Sequence, residues 1–203
     1  MNHQENVAAV SPEFVDQTRE ILTRWKPISP GQDDFRREYL AFVDELGPDA
    51  IDRYAGPEHL TASSFIFTAD LSQVLLCFHR KGQFWVQLGG HIDPDDTSIS
   101  GAAQREATEE SGIVGLKLFS PIPVDMNRHP LPGAFGACRV HWDVGFGFIA
   151  DRDAQIVVSA ESEDVAWWPI DQLPKQTPGD FPDRLALALA ELKHRLTDQG
   201  PVA

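Results

Sequence analysis

A chain of 203 residues is long enough for one well-packed domain with an appendage, or for two small ones, and its 42% hydrophobic content is ordinary for a globular fold. A formal net charge of −14 repels nucleic acid polymers and anionic membranes, so neither is an expected partner. If the substrate is anionic, positive charge must come from outside the chain, which first points to a metal ion.

Residues 1–14 lack a basic start followed by an apolar block, so no secretory signal is expected. The densest apolar run, residues 74–78, is far too short to span a bilayer. Cys77 and Cys138 have no metal-type partner at short spacing. They read as free thiols in a reduced cytoplasm, inert beside apolar strands.

Two helices are predicted first. Ser11-Pro12-Glu13 is a helix start, and Phe14, Thr18, Ile21, Leu22 and Trp25 recur at helical spacing until Pro27. After a loop through Pro30-Gly31, a second stripe of Phe35, Tyr39, Phe42, Val43 and Leu46 closes at Gly47-Pro48. From about Ala62 the pattern turns to strands. Residues 64–68 and 73–79 flank a short linker and suggest a hairpin, and "KGQ" turns the chain into "FWVQL", which runs into Gly89-Gly90.

A helix over residues 98–111 ends at Gly112, and residues 115–126 read as extended. In "HWDVGFGFIA", Trp142, Val144, Phe146 and Phe148 face one way; His141, Asp143, Gly145 and Gly147 face the other. "EDVAWWPI" is a further strand. Phe181, Leu185, Ala188, Leu189, Leu192 and Leu196 mark a C-terminal amphipathic helix. Helices mixed with hairpins predict an α/β fold with a mixed sheet covered on both faces.

The helix over 98–111 is locally costly. Glu106, Glu109 and Glu110 fall within an arc of about 100° at helical spacing, and like charges so placed repel. Acids near a helix C-terminus also oppose the macrodipole, and Gly101 costs about 1 kcal/mol relative to alanine. A divalent cation would relieve the repulsion, and hard ions such as Mg²⁺ prefer carboxylate oxygens. A solvated acidic face is the plainer alternative for the charge run alone.

The flanks resemble the signature of the Nudix hydrolases: a glycine, five residues, a glutamate, seven residues, then R-E-U-x-E-E-x-G-U with U apolar. Arg105-Glu106-Ala107-Thr108-Glu109-Glu110-Ser111-Gly112-Ile113 matches the second half throughout. The first half departs from it. Counted from Gly90, Asp96 stands where the early glutamate belongs, and eight residues separate it from Arg105, which reads as a one-residue loop insertion. The flanking strands and "ESEDVAWWPI" also look like the family, whereas the region before about residue 60 lies outside the resemblance.

The resemblance implies a Nudix-type α/β/α sandwich over residues 61–203 with a C-terminal helix, preceded by an N-terminal helical extension over residues 1–60. It implies hydrolysis of a pyrophosphate bond in a nucleoside diphosphate linked to another group, dependent on Mg²⁺ or Mn²⁺. Glu106, Glu109 and Glu110, with the Gly90 carbonyl, would be metal ligands, and Arg105 would orient the glutamates. The general base would come from this helix or from a later loop, where Glu161 and Glu163 are candidates. Arg80 and Lys81, beside His79, are candidates to receive phosphate or simply form a solvated turn. His91 could point at the substrate or make a loop hydrogen bond. His141 and Asp143 line either a pocket or the polar side of the sheet, and the tryptophans read as core.

Two rivals carry less support. An isoprenyl diphosphate isomerase needs a catalytic cysteine and a modified box, which the intact "REATEESG" opposes. A non-catalytic nucleotide-sensing Nudix-fold protein that reads DNA would need a basic added domain, yet residues 1–60 carry six basic and twelve acidic side chains. The extension reads as a cover, a substrate lid or a homodimer contact. No base-recognition motif names the nucleotide-type substrate.

Overall fold

The computed structural model describes residues 10–131, 137–159 and 162–198. Helix α1, Pro12–Arg24, starts as its sequence dictates: the Ser11 hydroxyl accepts the Phe14 N–H at 3.2 Å, with proline in the first turn. Helix α2 is Pro30–Leu46. Pro30, expected in a loop, is its first residue, because a proline at that position gives up no helical hydrogen bond. A 3-10 turn, Gly47–Ala50, follows. Phe14, Val15 and Leu22 of α1, Trp25 just after it, and Tyr39 and Val43 of α2 share one hydrophobic cluster with the sheet residues Leu60, Ala62, Ile66, Val144 and Phe146. Leu46, expected on the apolar stripe, is 39% exposed.

The eight strands are β1 Glu58–Phe67, β2 Gln73–His79, β3 Phe84–Val86, β4 Leu88–His91, β5 Lys117–Leu118, β6 Asp125–Pro130, β7 Val140–Ile149 and β8 Ser162–Pro169. They form one mixed sheet. Central β1 runs parallel to β7 and antiparallel to β2 and β4; β3 and β8 pair with β2, and β5 and β6 with β7. Helix α3, Ile99–Ser111, and helix α4, Phe181–Asp198, complete the fold.

Alternation along β1 assigns the two faces. Leu60, Ala62 and Ile66 join the cluster that holds Ile99, Ala102, Ala103 and Ala107 of α3. Phe65 and Phe67 join the one that holds Phe181, Leu185, Ala188 and Leu192 of α4. The result is an α/β/α sandwich. On β7, Trp142, Val144, Phe146 and Phe148 share the α3-side cluster, as their spacing predicts.

Two strands differ from expectation. Strand β1 begins at Glu58, earlier than its apolar pattern, because His59, Thr61 and Ser63 are buried polar residues. Strand β6 has almost no apolar signal; its buried Asp125 is held by Arg184 of α4 at 2.5 and 3.0 Å. Among the described residues, no helix is long and apolar enough to cross a membrane. A cavity of about 520 Å³ lies beside Thr68, Val114, Lys117 and Ala150, and none of the α3 glutamates lines it.

Candidate active site

Helix α3 is placed by its ends. The Ser98 hydroxyl accepts the Gly101 N–H at 3.0 Å, and Gly112 turns the chain out at φ 68°. Small residues bind the helix to the sheet: Ala102, Ala103 and Ala107 are fully buried, and the Ser64 hydroxyl donates to the Ala103 carbonyl at 2.9 Å. This close seating brings Glu106 and Glu110 against Gly89 and Gly90 of β4.

Each glutamate is held differently. The Glu106 carboxylate lies so close to Gly90 that a Cβ built there would sit 2.6 Å from its Oε2. Glu110 is buried and accepts the Gly89 N–H at 2.9 Å, with the Ser162 hydroxyl at 3.4 Å on its other oxygen. The Glu109 side chain is 60% exposed. Gly89 itself has φ +154°, and a Cβ there would meet the Ala62 carbonyl oxygen at 2.5 Å, so β1 and β4 can approach only with glycine present.

Arg105 joins these pieces. Its guanidinium donates to Asp96 at 3.0 and 2.8 Å, to Glu106 at 2.9 Å, to Glu109 at 3.2 Å and to the His91 carbonyl at 2.9 Å. Hydrogen bonding to Asp96, then to Glu106, raises its pKa further above the ordinary arginine value. Asp96, whose role the shifted spacing left open, is the loop's grip on Arg105. Its side chain is 7% exposed and also accepts the Asp93 N–H at 2.8 Å.

The remaining candidates are placed as follows. Arg80 donates to the Ser162 carbonyl at 3.3 Å, and the hydroxyl of that same serine touches Glu110. Lys81 is exposed on the β2–β3 turn. Glu163 accepts the Gln83 amide of that turn at 3.0 Å. Glu161 lies outside the described residues. Trp142 stacks on Phe42, ring centroids 4.3 Å apart, and Trp85 is buried, in keeping with core packing.

His91 stands in a group that the sequence did not reveal. His59, His91, Cys138 and His141 hold their ligand atoms within 4.8 Å of one another. Burial lowers the His91 pKa to about 3 and that of His141 to about 4. Burial, then the Arg53 charge, lowers that of His59; the Gly56 carbonyl opposes this without completing a hydrogen bond. Next along β7, Asp143 accepts Thr61 at 3.0 Å, Ser63 at 2.6 Å and Gln87 at 3.2 Å. Asp143 thus belongs to a buried polar layer, with half-buried His141 beside it on the same strand face. The one local signal is Cys138-x₂-His141, a short spacing that corrects the reading of Cys138 as having no metal-type partner nearby.

The NUDIX domain model matches residues 57–190. No curated protein matches the chain. Among solved structures, a C. elegans Ap4A hydrolase binary complex is similar with TM-score 0.54 and 18% identity, over 68% of this chain and 98% of that one. A UDP-X diphosphatase is similar with TM-score 0.53 and 15% identity, over 90% of this chain and 94% of that one. A NUDIX-family hydrolase from Clostridium perfringens reaches TM-score 0.50 and 21% identity, over 68% and 97%. With the domain match spanning the sheet, α3 and most of α4, the chain belongs to the Nudix hydrolase family.

Proposed function

We propose that this hydrolase cleaves a pyrophosphate bond in a nucleoside diphosphate linked to another group, with Mg²⁺ or Mn²⁺ held at the N-terminal end of the β4–α3 loop. The observation that carries the reading is the contact between Glu106 and Gly90, a cradle that a single methyl group would fill. The donor set fits a hard cation: the carboxyl groups of Asp93, Asp96, Glu106 and Glu109 crowd one guanidinium, and Glu110 lies on the adjacent Gly89 N–H. Glu106, Glu109 and Glu110 with the Gly90 carbonyl would hold the ion. When bound, it neutralises phosphate oxygens and lowers the pKa of the attacking water.

The chain's own residues do the positioning. Arg105 fixes the Glu106 and Glu109 carboxylates by charge-assisted hydrogen bonds, and the Gly89 N–H fixes Glu110. Glu109, open to solvent, is the carboxylate best placed to exchange protons with water. Arg80 and Lys81 supply positive charge at the β2–β3 turn for the substrate phosphates. Free Cys77 and Cys138 support a cytoplasmic enzyme.

The test is a phosphate-release screen with Mg²⁺, then Mn²⁺, over nucleoside triphosphates, oxidised nucleotides, nucleotide sugars and dinucleotides. Ap4A and UDP-linked diphosphates belong in the panel because related folds carry those names. Turnover of one class that collapses in Glu109→Gln is the expected result. Full turnover in that variant, or none in the parent with either metal, would overturn the proposal.

A further inference from the structure

We infer that His59, His91, Cys138 and His141 form a structural zinc site, separate from the carboxylates of α3. The sheet register assembles it. His59 of β1 is the direct partner of His141 in parallel β7. Thr61 is the partner of His91 in antiparallel β4, and it shares a strand face with His59. Three imidazoles therefore converge on one side of the sheet, their ring centroids 5.1–5.2 Å apart. Cys138, just before β7, brings its Sγ to 3.8 Å from His91 Nε2.

Three of the ring nitrogens lack a hydrogen-bond partner. Both ring nitrogens of fully buried His59 and Nε2 of His141 are buried without a hydrogen bond. Such atoms normally find a partner, and His129, the next histidine along, does: its Nδ1 lies 2.9 Å from Asn127 Oδ1. A metal ion would satisfy them together.

The chemistry selects the ion. Three imidazole nitrogens and one thiolate suit a borderline-soft tetrahedral cation, which is the preference of Zn²⁺ and not of Mg²⁺. Ideal zinc bonds put the donors roughly 3.3–3.6 Å apart. The present spacing closes to that with side-chain rotations of roughly 1–1.5 Å. Four protein ligands leave no open position, so the site does no hydrolysis of its own. It ties the start of β1, the start of β7 and the end of β4 at one point. His91 follows Gly90 and offers its carbonyl to Arg105, so this tie sits at the edge of the catalytic loop.

The experiment uses the full-length chain stripped with a chelator and titrated with Co²⁺, then Zn²⁺. One Co²⁺ should bind per chain with a thiolate-to-cobalt charge-transfer band, be displaced by Zn²⁺ and resist excess Mg²⁺. The band should persist in Glu109→Gln and vanish in Cys138→Ser. His141→Ala should weaken zinc binding by at least the roughly 10–100-fold that even outer-shell changes cost. Circular dichroism of the metal-free variants checks folding. As a readout that needs no variant, Zn²⁺ should protect Cys138 of the parent from alkylation. Absence of the band and of that protection in the parent would overturn the inference. So would Co²⁺ that Mg²⁺ displaces and Glu109→Gln loses, because that ion would sit on α3.

Discussion

Asp96 grips Arg105 at two points, taking Nε at 3.0 Å and Nη2 at 2.8 Å. Through that grip the loop before α3 and the glutamates on it become one unit. The same guanidinium that holds the loop also holds Glu106 and Glu109. In the proposed site the early acid of the box is thus a positioning residue, and the extra loop residue leaves Glu106 and Glu110 on β4.

Asp96→Asn tests this. An amide presents only one acceptor atom, and its NH₂ would face a guanidinium donor. Loss of about 1–3 kcal/mol is expected from breaking a charge-assisted, largely buried pair. Activity should fall through kcat, with KM little changed, because the glutamates lose orientation and the substrate contacts do not. Urea unfolding and steady-state kinetics on one preparation check both. Parent-like stability would show that the grip is dispensable.

Glu109→Gln separates chemistry from folding. Its side chain is mostly solvated, so stability should stay within about 0.5 kcal/mol of the parent. Activity should drop by about 100-fold or more, as for removal of a charge that stabilises the transition state. Glu110→Gln should behave differently and lose stability too, because Glu110 is buried on the Gly89 N–H. Thermal melts of the two variants side by side decide it.

What could be read from the sequence follows from how local each signal was. Helix α3 was legible from Ser98 to Gly112 because its cap, its small buried face and its left-handed terminator are all local. Strand β7 was legible because one of its faces is uniformly apolar. The first half of β1 was not, since His59, Thr61 and Ser63 are buried among polar partners that come from other strands. Strand β6 hid for the same reason: Asp125 is buried only because Arg184, far along the chain, meets it. The box carboxylates lie within one helix and announced themselves. The four histidine and cysteine donors come from three strands and a loop, and only the pairing register brings them together.

The two glycines at the end of β4 should respond in opposite ways. At Gly90 the atoms nearest a new methyl are those of the Glu106 carboxyl, the far end of a side chain that can shift, so Gly90→Ala should fold nearly as well as the parent yet lose most activity. At Gly89 the methyl would meet backbone atoms of Ala62 and Ser63 at 2.5–2.6 Å, with φ already at +154°. Gly89→Ala should therefore lose several kcal/mol, of the order seen for overpacking combined with backbone strain. Equal unfolding midpoints for the two variants would contradict the assignment.

Arg184 and Asp125 are 9% and 0% exposed at their side chains, so neither can be left alone in the interior. Burial works against the Arg184 charge, while Asp125 and Asp143 favour it strongly enough to raise its pKa. Arg184→Met should cost about 3–5 kcal/mol by stranding buried carboxylates. Adding Asp125→Asn should recover part of that loss. A double-mutant cycle in urea measures the coupling, and strictly additive costs would show that the pair is not coupled.

Acid should weaken the metal-free protein through the buried imidazoles. Burial first, then neighbouring charge, lowers His141 to about 4, and His59 is lowered in the same direction. An unfolded imidazole has its ordinary value of 6.5. Between those values the unfolded chain takes up protons that the folded rings refuse. The stabilising contribution is therefore whole above pH 6.5 and is lost as the pH falls towards about 4, at up to about 1.4 kcal/mol per pH unit from His141. Urea midpoints of chelator-treated protein should fall steadily across that window. His141→Gln, which removes one titrating ring, should flatten the decline. An unchanged slope in that variant would show that the acid sensitivity arises elsewhere.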